Sequence, residues 1–257
     1  MGARDQKKTA AQCPGACAHE NRGDTPVSAV LRGISSMATR QVLADLVQAW
    51  QAQGGEPVDI ESVGGVDAAQ RVRNGEAFDV VFLASNAIQN LSNAGHVLAG
   101  SQVDLMLSST AVAVPASAKA PDISTEEALR QAVMNASAIG YSTGPSGLAL
   151  LQLLERWGIA AQVQSRMVQA RPGVPVGSLV ARGAVALGFQ QLSELIHVPG
   201  IQIVGTLPQA VAIDTVFSGA VVATTQHAET VQRLLAFMAS PAATEAKQRQ
   251  GMAAVGG

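Results

Sequence analysis

Four short segments of this chain run from an apolar stretch through small residues into a helical pattern: Arg32–Arg40 (RGISSMATR), Glu61–Val72 (ESVGGVDAAQRV), Gly140–Leu151 (GYSTGPSGLALL) and Pro172–Gly183 (PGVPVGSLVARG). A helix entered in this way leaves its first N–H groups without intrahelical acceptors and carries the positive end of its dipole there, so it attracts an anion. Glycine and serine keep the backbone approachable, and Ser35, Ser36, Ser142 and Ser146 add hydroxyl donors. Any one of these segments is accounted for by simple helix capping. Four in one chain point to a shared site that holds a small anion by dipoles and hydroxyls.

Other chemistries find little support. There is no G-x-G-x-x-G and no G-x-x-x-x-G-K-[ST], so dinucleotide and P-loop readings fall away and no cofactor is expected. His19, His96, His197 and His227 are scattered without metal-ligand spacing, and Cys13 and Cys17 lie in a polar tail without partner ligands. Of the carboxylates, Asp67 and Glu194 lie near glycine-rich or loop regions, and Asp67 in the first turn of a helix is favoured there by the dipole alone. With a net charge of -2 and no basic stripe, the chain carries no footprint for nucleic acid.

The elements that must position these turns read as α/β. Short apolar runs at 27–33, 57–63, 80–84, 111–114, 138–141, 165–168, 186–189, 201–204 and 218–223 read as strands. Between them, Val42, Leu43, Leu46, Val47 and Trp50 recur at helical spacing, as do Leu148, Leu151, Leu154 and Trp157, and Val231, Leu234, Leu235 and Met238. Hydrophobic residues make up 47% and aromatics only 3%, so Ala, Val, Leu and Ile must build the core. Two long extended runs, 107–115 and 205–223, read as crossovers between lobes. This gives a tail over 1–26, a first lobe of 27–109 plus 205–257, and a second lobe of 110–204. The tail lacks the apolar stretch of a secretory signal, and no apolar run approaches the ~20 residues of a membrane span.

Several stretches resemble the molybdate-binding protein family of ATP-driven importers: ISSMATRQVLADLVQAW, AAQRVRNGEAFDVVFLAS, GPSGLALLQLLERWGI and LVARGAVALGFQQLSELIHVPGIQIVGTLP. The last of these is similar, more closely still, to a side branch that includes pseudomonad aconitate isomerase. The resemblance implies a two-lobed type II periplasmic-binding-protein fold with a hinge and an inter-lobe cleft. It also implies that the family's oxyanion-binding positions fall on Ser36, on Gly65 or Val66 where the family has a second serine, on Ser146 and the Val176–Gly177 turn, and on Gln191 where the family has a tyrosine. A lost hydroxyl and a lost phenol remove hydrogen bonds to a charged ligand worth ~1.5–3 kcal/mol each. The expected ligand is therefore an organic carboxylate in preference to molybdate.

Two functions follow from the resemblance. The first is a monomeric periplasmic binding protein that delivers a small anion to the permease of an ABC-type importer, with no membrane insertion of its own; a native signal-less N-terminus would instead place it in the cytoplasm. The second is a cofactor-free isomerase of unsaturated acids such as aconitate, which needs a base near the carbon that loses its proton. Asp67, Glu194, Tyr141 and a serine–water pair are the conceivable bases, and Arg40, Arg71, Arg171 and Arg182 the available clamps for a polycarboxylate. Spacing singles out none of them, so the sequence alone puts the binding protein first.

Overall fold

The structure, a computed structural model, describes residues 30–255. The polar tail and its two cysteines lie outside the described residues.

In chain order the elements are β1 (Leu31–Ser36), α1 (Arg40–Ala52), β2 (Val58–Val63), α2 (Gly65–Arg73), β3 (Val80–Ala84), α3 (Ser85–Asn93), β4 (Val103–Pro115), α4 (Glu126–Asn135), β5 (Ile139–Tyr141) and α5 (Pro145–Arg156). They continue with α6 (Ala160–Val163), β6 (Met167–Gln169), α7 (Val176–Ala181), β7 (Leu187–Gln191), α8 (Leu192–Leu195), β8 (Ile201–Thr206), β9 (Asp214–Val221), α9 (Ala228–Ala239), α10 (Thr244–Arg249) and β10 (Met252–Ala254). A 3₁₀ turn, Met37–Thr39, joins β1 to α1.

Strand β4 belongs to both halves of the molecule. Its first part pairs antiparallel with β9 and β10, and β9 continues through β3 to the parallel strands β1 and β2. Its second part pairs antiparallel with β7 and β8, and β7 continues to the parallel strands β5 and β6. The change of partner falls between Ser109 and Thr110. The chain returns beside it: Ile213 O accepts the Thr110 N–H at 2.8 Å, and Thr110 O accepts from Leu207 N–H at 3.3 Å. Two adjacent crossings of this kind make a hinge between two α/β lobes.

Each lobe is a sheet covered on both faces. In the first, Leu43 and Leu46 of α1 and Leu234 and Leu235 of α9 pack with Phe82 and Phe217, while the opposite face buries Ile34, Val81, Leu83, Ile88 and Leu91. Burial on both faces explains why β3 is an unbroken apolar run, VVFLA, with no alternation. In the second lobe, Leu129 of α4 and Leu150 and Leu154 of α5 cover one face with Phe189, and Val176, Leu179 and Val180 of α7 cover the other. Each such side chain contributes about 1.5–3 kcal/mol when removed from water.

Three differences from the sequence reading have physical causes. β1 runs on through Ser35 and Ser36 rather than stopping at Gly33, because parallel pairing with β2 continues to Ser36–Val63. β10, which carries no strand signal, forms against the edge of β4. Leu207 and Val211 pack in the second lobe's core, and the return into the first sheet starts at Asp214. Residues 205–213 therefore lie with the second core and not with the first.

Candidate functional site

Strand alternation separates the two serines at the end of β1. Ser35 is fully buried and its Oγ lies 2.8 Å from Ser62 Oγ on β2, so it ties two strands together. Ser36 points the other way, toward α2: a Cβ added to Gly65 would lie 3.6 Å from Ser36 Cβ. Ser36 is 7% exposed. Thr39 Oγ1 donates to Ser36 O at 3.1 Å, which closes the 3₁₀ turn. Ser36, Gly65 and the exposed Val66 thus form one group, where a β-strand end meets the open N-terminus of α2. Asp67 stands in the first turn of that helix and faces solvent.

In the second lobe, Ser142 and Ser146 are joined across the start of α5, with their hydroxyl oxygens 3.1 Å apart and the Gly144 N–H donating to Ser142 Oγ at 3.3 Å. Ser146 is buried, so its hydroxyl faces the Ser142 turn and not open solvent. Pro145 at the first helical positions costs no hydrogen bond there.

The N-terminus of α7 departs most from the sequence reading. The N–H groups of Val176 and Gly177 do not point at an open seat. They donate to Gln190 Oε1, at 2.8 and 3.3 Å, and the acceptor is buried. An internal amide oxygen thus accepts from both of the amides that the resemblance assigns to a ligand. The other end of the same amide, Nε2, donates to Glu194 Oε1 at 2.8 Å. Burial raises the pKa of Glu194 from 4.5 to about 7, against the lowering effect of the Gln190 hydrogen bond.

Gln191, the next residue, points to the opposite face of β7. Its Nε2 donates to Thr215 Oγ1 at 2.8 Å, linking β7 to the return strand β9 at the hinge. Its Oε1, with Ser108 Oγ and Thr110 Oγ1 on β4, is buried without a hydrogen-bond partner among the described residues. Gln191 therefore belongs to a polar cluster where the strands cross. Helix α8, which carries Glu194, also touches the first lobe: Ser193 Oγ donates to Ala38 O at 2.9 Å. A little beyond it, His197 Nε2 lies 2.6 Å from Gln250 Oε1, whose own Nε2 donates to Asp45 Oδ2 at 2.8 Å. The structure thus brings Ser36, Gly65 and Val66 together in one lobe and Ser142 with Ser146 in the other, and it ties Gln191 into the hinge between them.

The arginines sort by their partners. Arg71 makes a two-pronged contact to Glu61, at 2.6 and 2.8 Å, donates to Glu76 at 2.7 Å and stacks over Phe78. It holds both glutamates below the usual carboxylate range, and its charge is spent inside the first lobe. Arg40, Arg171 and Arg182 are exposed. Tyr141 packs against the second core. A surface groove of ≈ 590 Å³ beside α1 and β2 is lined by Arg40, Val47, Ile60 and Ser62. No helix among the described residues is long and apolar enough to cross a membrane.

The state of Glu194 makes stability depend on pH. In the folded chain the carboxyl keeps its proton up to about pH 7, whereas unfolded it releases it near 4.5. The native state therefore binds more protons across that window, and stability is full below 4.5 and lost as pH rises through about 7. Urea unfolding over that pH range is expected to show wild-type stability declining relative to Glu194→Gln, with a slope of at most ~1.4 kcal/mol per pH unit. Parallel curves would mean that Glu194 titrates normally.

Two α/β lobes joined by paired strand crossings, with helix N-termini at their strand ends, define a type II periplasmic binding fold. The comparisons agree. The periplasmic molybdate-binding protein of Azotobacter vinelandii superposes with a TM-score of 0.71 at 24% identity, covering 86% of this chain and 98% of that one. The sulfate-binding protein SubI of Mycobacterium tuberculosis H37Rv gives 0.71 at 19% identity, covering 88% and 87%. The model of the bacterial extracellular solute-binding protein family matches residues 31–253, and the chain belongs to that family. Within it, the chain is 37% identical over 226 residues to an aconitate isomerase from a Pseudomonas species, spanning 85% of this chain and 86% of the relative.

Proposed function

We propose that this protein is a cofactor-free isomerase of a small unsaturated polycarboxylate, with aconitate as the natural candidate and Glu194 as the general base. The observation that carries this reading is the Gln190–Glu194 pair beside α7: two backbone amides suited to an anion are spent on Gln190, and the carboxyl behind it is held near neutrality. A site built only to hold an oxyanion gains nothing from a carboxylate, which repels an anionic ligand once ionised. A site that moves a proton needs one.

The chemistry follows from the substrate class. A base takes a proton from the methylene carbon, the C–H pair spreads over the three-carbon allylic system, and the proton returns to an end of that system. The double bond moves or turns with no net change in oxidation state. One group that both takes and gives the proton works best with a pKa near the working pH. The substrate's carboxylates dock at the starts of α2 and α5, with Ser36, Gly65, Val66, Ser142 and Ser146 as the ligand group and Gln191 beneath it at the hinge. Lobe closure around the hinge shields the allylic anion from water.

The test is to incubate the purified protein with cis-aconitate or trans-aconitate and follow the other isomer by chromatography. Conversion at ordinary enzyme rates, ~1–1000 per second, is expected. Tight calorimetric binding of either isomer without conversion would overturn the isomerase.

Such an outcome would leave the second reading, which the family itself favours: a periplasmic binding protein that captures a small organic anion for an ABC-type importer. In that case the lobes, with residues 30–109 and 214–255 in the first and 110–213 in the second, close to carry the ligand to a permease.

A further inference from the structure

We propose that Gln190 is a positioning residue: one end of its side-chain amide clamps the start of α7, the other clamps the Glu194 carboxyl, and together they set where that carboxyl gives and takes a proton. The inference rests on the reading of Glu194 as the base, and deepens it.

Gln190 sits on β7 opposite Ala111 of β4. It shares its face of the strand with Gly188, where an added Cβ would come within 2.5 Å of Val180 Cγ2 on α7. The missing side chain at Gly188 lets α7 lie close to the strand, and its first amides reach Gln190 Oε1 at 2.8 and 3.3 Å. Two N–H donors on one oxygen fix the amide's orientation, because a flipped amide would set its NH₂ against them. They also polarise it, which strengthens the N–H that Nε2 donates to Glu194 Oε1 at 2.8 Å. Gln190 is 2% exposed, so bulk solvent has little access to its amide. Among the described residues only Oε1 of Glu194 is engaged, which leaves Oε2 as the oxygen that exchanges a proton. The carboxyl is thereby referred to the backbone of the second lobe, while its helix is tied to the first lobe through Ser193 and Ala38.

The elements packed most closely against α8 are α7, β7, β4 and the 3₁₀ turn Met37–Thr39, and the end of α10 meets it where Gly251 lies against Leu192; α10 brings the buried Lys247 with the exposed Glu245 and Arg249, and β4 carries Asp104 in its first part. The nearest ionisable or charged groups along the chain are Arg40, Arg182 and His197, the last held by Gln250. A titration that reads the Glu194 carboxyl itself is therefore needed to tie a change to Gln190.

The experiment is a ¹³C NMR titration of glutamate side-chain carboxyls in the full chain, with the Glu194 signal assigned by its loss in Glu194→Gln. Gln190→Met removes the donor to the carboxylate, so the Glu194 midpoint is expected to rise by about one to two pH units. The acidic limb of kcat/KM for aconitate is expected to rise with it. Gln190→Glu keeps an acceptor for the α7 amides, and so preserves the fold if the methionine variant loses it, while placing two carboxyls in contact. Its pair is expected to hold one proton to still higher pH. A Glu194 midpoint unmoved in both folded variants would overturn the proposal and leave Gln190 a structural cap of α7. If the midpoint moves but the wild-type protein isomerises nothing, Gln190 keeps its role and Glu194 loses its own as base.

Discussion

Glu194→Gln is expected to stop isomerisation while leaving substrate bound. The substitution keeps the size and shape of the side chain, and its amide oxygen can still accept from Gln190 Nε2 as the carboxylate oxygen does at 2.8 Å. What it loses is the capacity to take a proton near neutral pH. General-base catalysis contributes about 10²–10⁴ in rate, so kcat for cis-to-trans conversion should fall at least ~100-fold. Affinity moves little, or improves, because a group that carries negative charge above about pH 7 no longer faces an anionic ligand. Single-turnover kinetics gives the first number and calorimetry the second. Asp67→Asn is the companion variant. Asp67 faces solvent in the first turn of α2, so its loss should leave kcat near wild type. A Glu194→Gln protein that retains ordinary turnover would remove the base from the proposal, and a collapse of kcat in Asp67→Asn instead would move it to the other lobe.

The same residues show how far a single sequence carries. The run VVFLA between Asp79 and Ser85 is legible to the residue, because a strand buried on both faces needs no alternation to announce it. The end of β1 is not: Ser35 and Ser36 look like a turn, yet strand pairing carries them on, and only the pleat decides that one faces Ser62 and the other Gly65. The resemblance drew attention to Gln191, where a ligand-binding tyrosine was missing. The alternation in GFQQ already held a further signal, since Phe189 in the core puts Gln190 on the face of α7. What could not be read is that Gln190 would reach back 14 residues to Val176 for its donors and forward four to Glu194 for its acceptor. A helix N-terminus in sequence is a set of free amides, and whether a ligand or another side chain satisfies them depends on a contact from elsewhere in the fold. Glu194 itself was one carboxylate among several until its contact with Gln190 and its raised pKa set it apart.

Gly147→Ala is expected to be the most damaging small substitution near the site. Gly147 lies in the first turns of α5 in a helical conformation, so its need for glycine comes from what it touches and not from its backbone angles. A Cβ there would fall 1.8 Å from Ser142 O and 2.8 Å from Ser142 C. Both are backbone atoms, and no side-chain rotation can clear them. To admit the methyl group, the 142–144 turn must move away from α5, which breaks the 3.1 Å Ser142–Ser146 contact and shifts a helix whose Leu150, Leu153 and Leu154 fill the second core. Overpacking of this kind costs typically 1–3 kcal/mol and more where backbone must shift, so a loss of about 3 kcal/mol is expected. For a chain of this size that lowers Tm by roughly 6–12 °C. Gly65→Ala separates stability from the site. Its Cβ would meet Ser36 Cβ at 3.6 Å, an ordinary contact, and α2 gains a better helix former. Calorimetric scanning should find Gly65→Ala within about 1 °C of wild type or above it. Isothermal titration should find its affinity for aconitate reduced, because the added methyl narrows the seat between β1 and α2. Gly147→Ala melting with wild type would mean that the turn yields freely, and that the start of α5 is not the rigid half of the ligand seat.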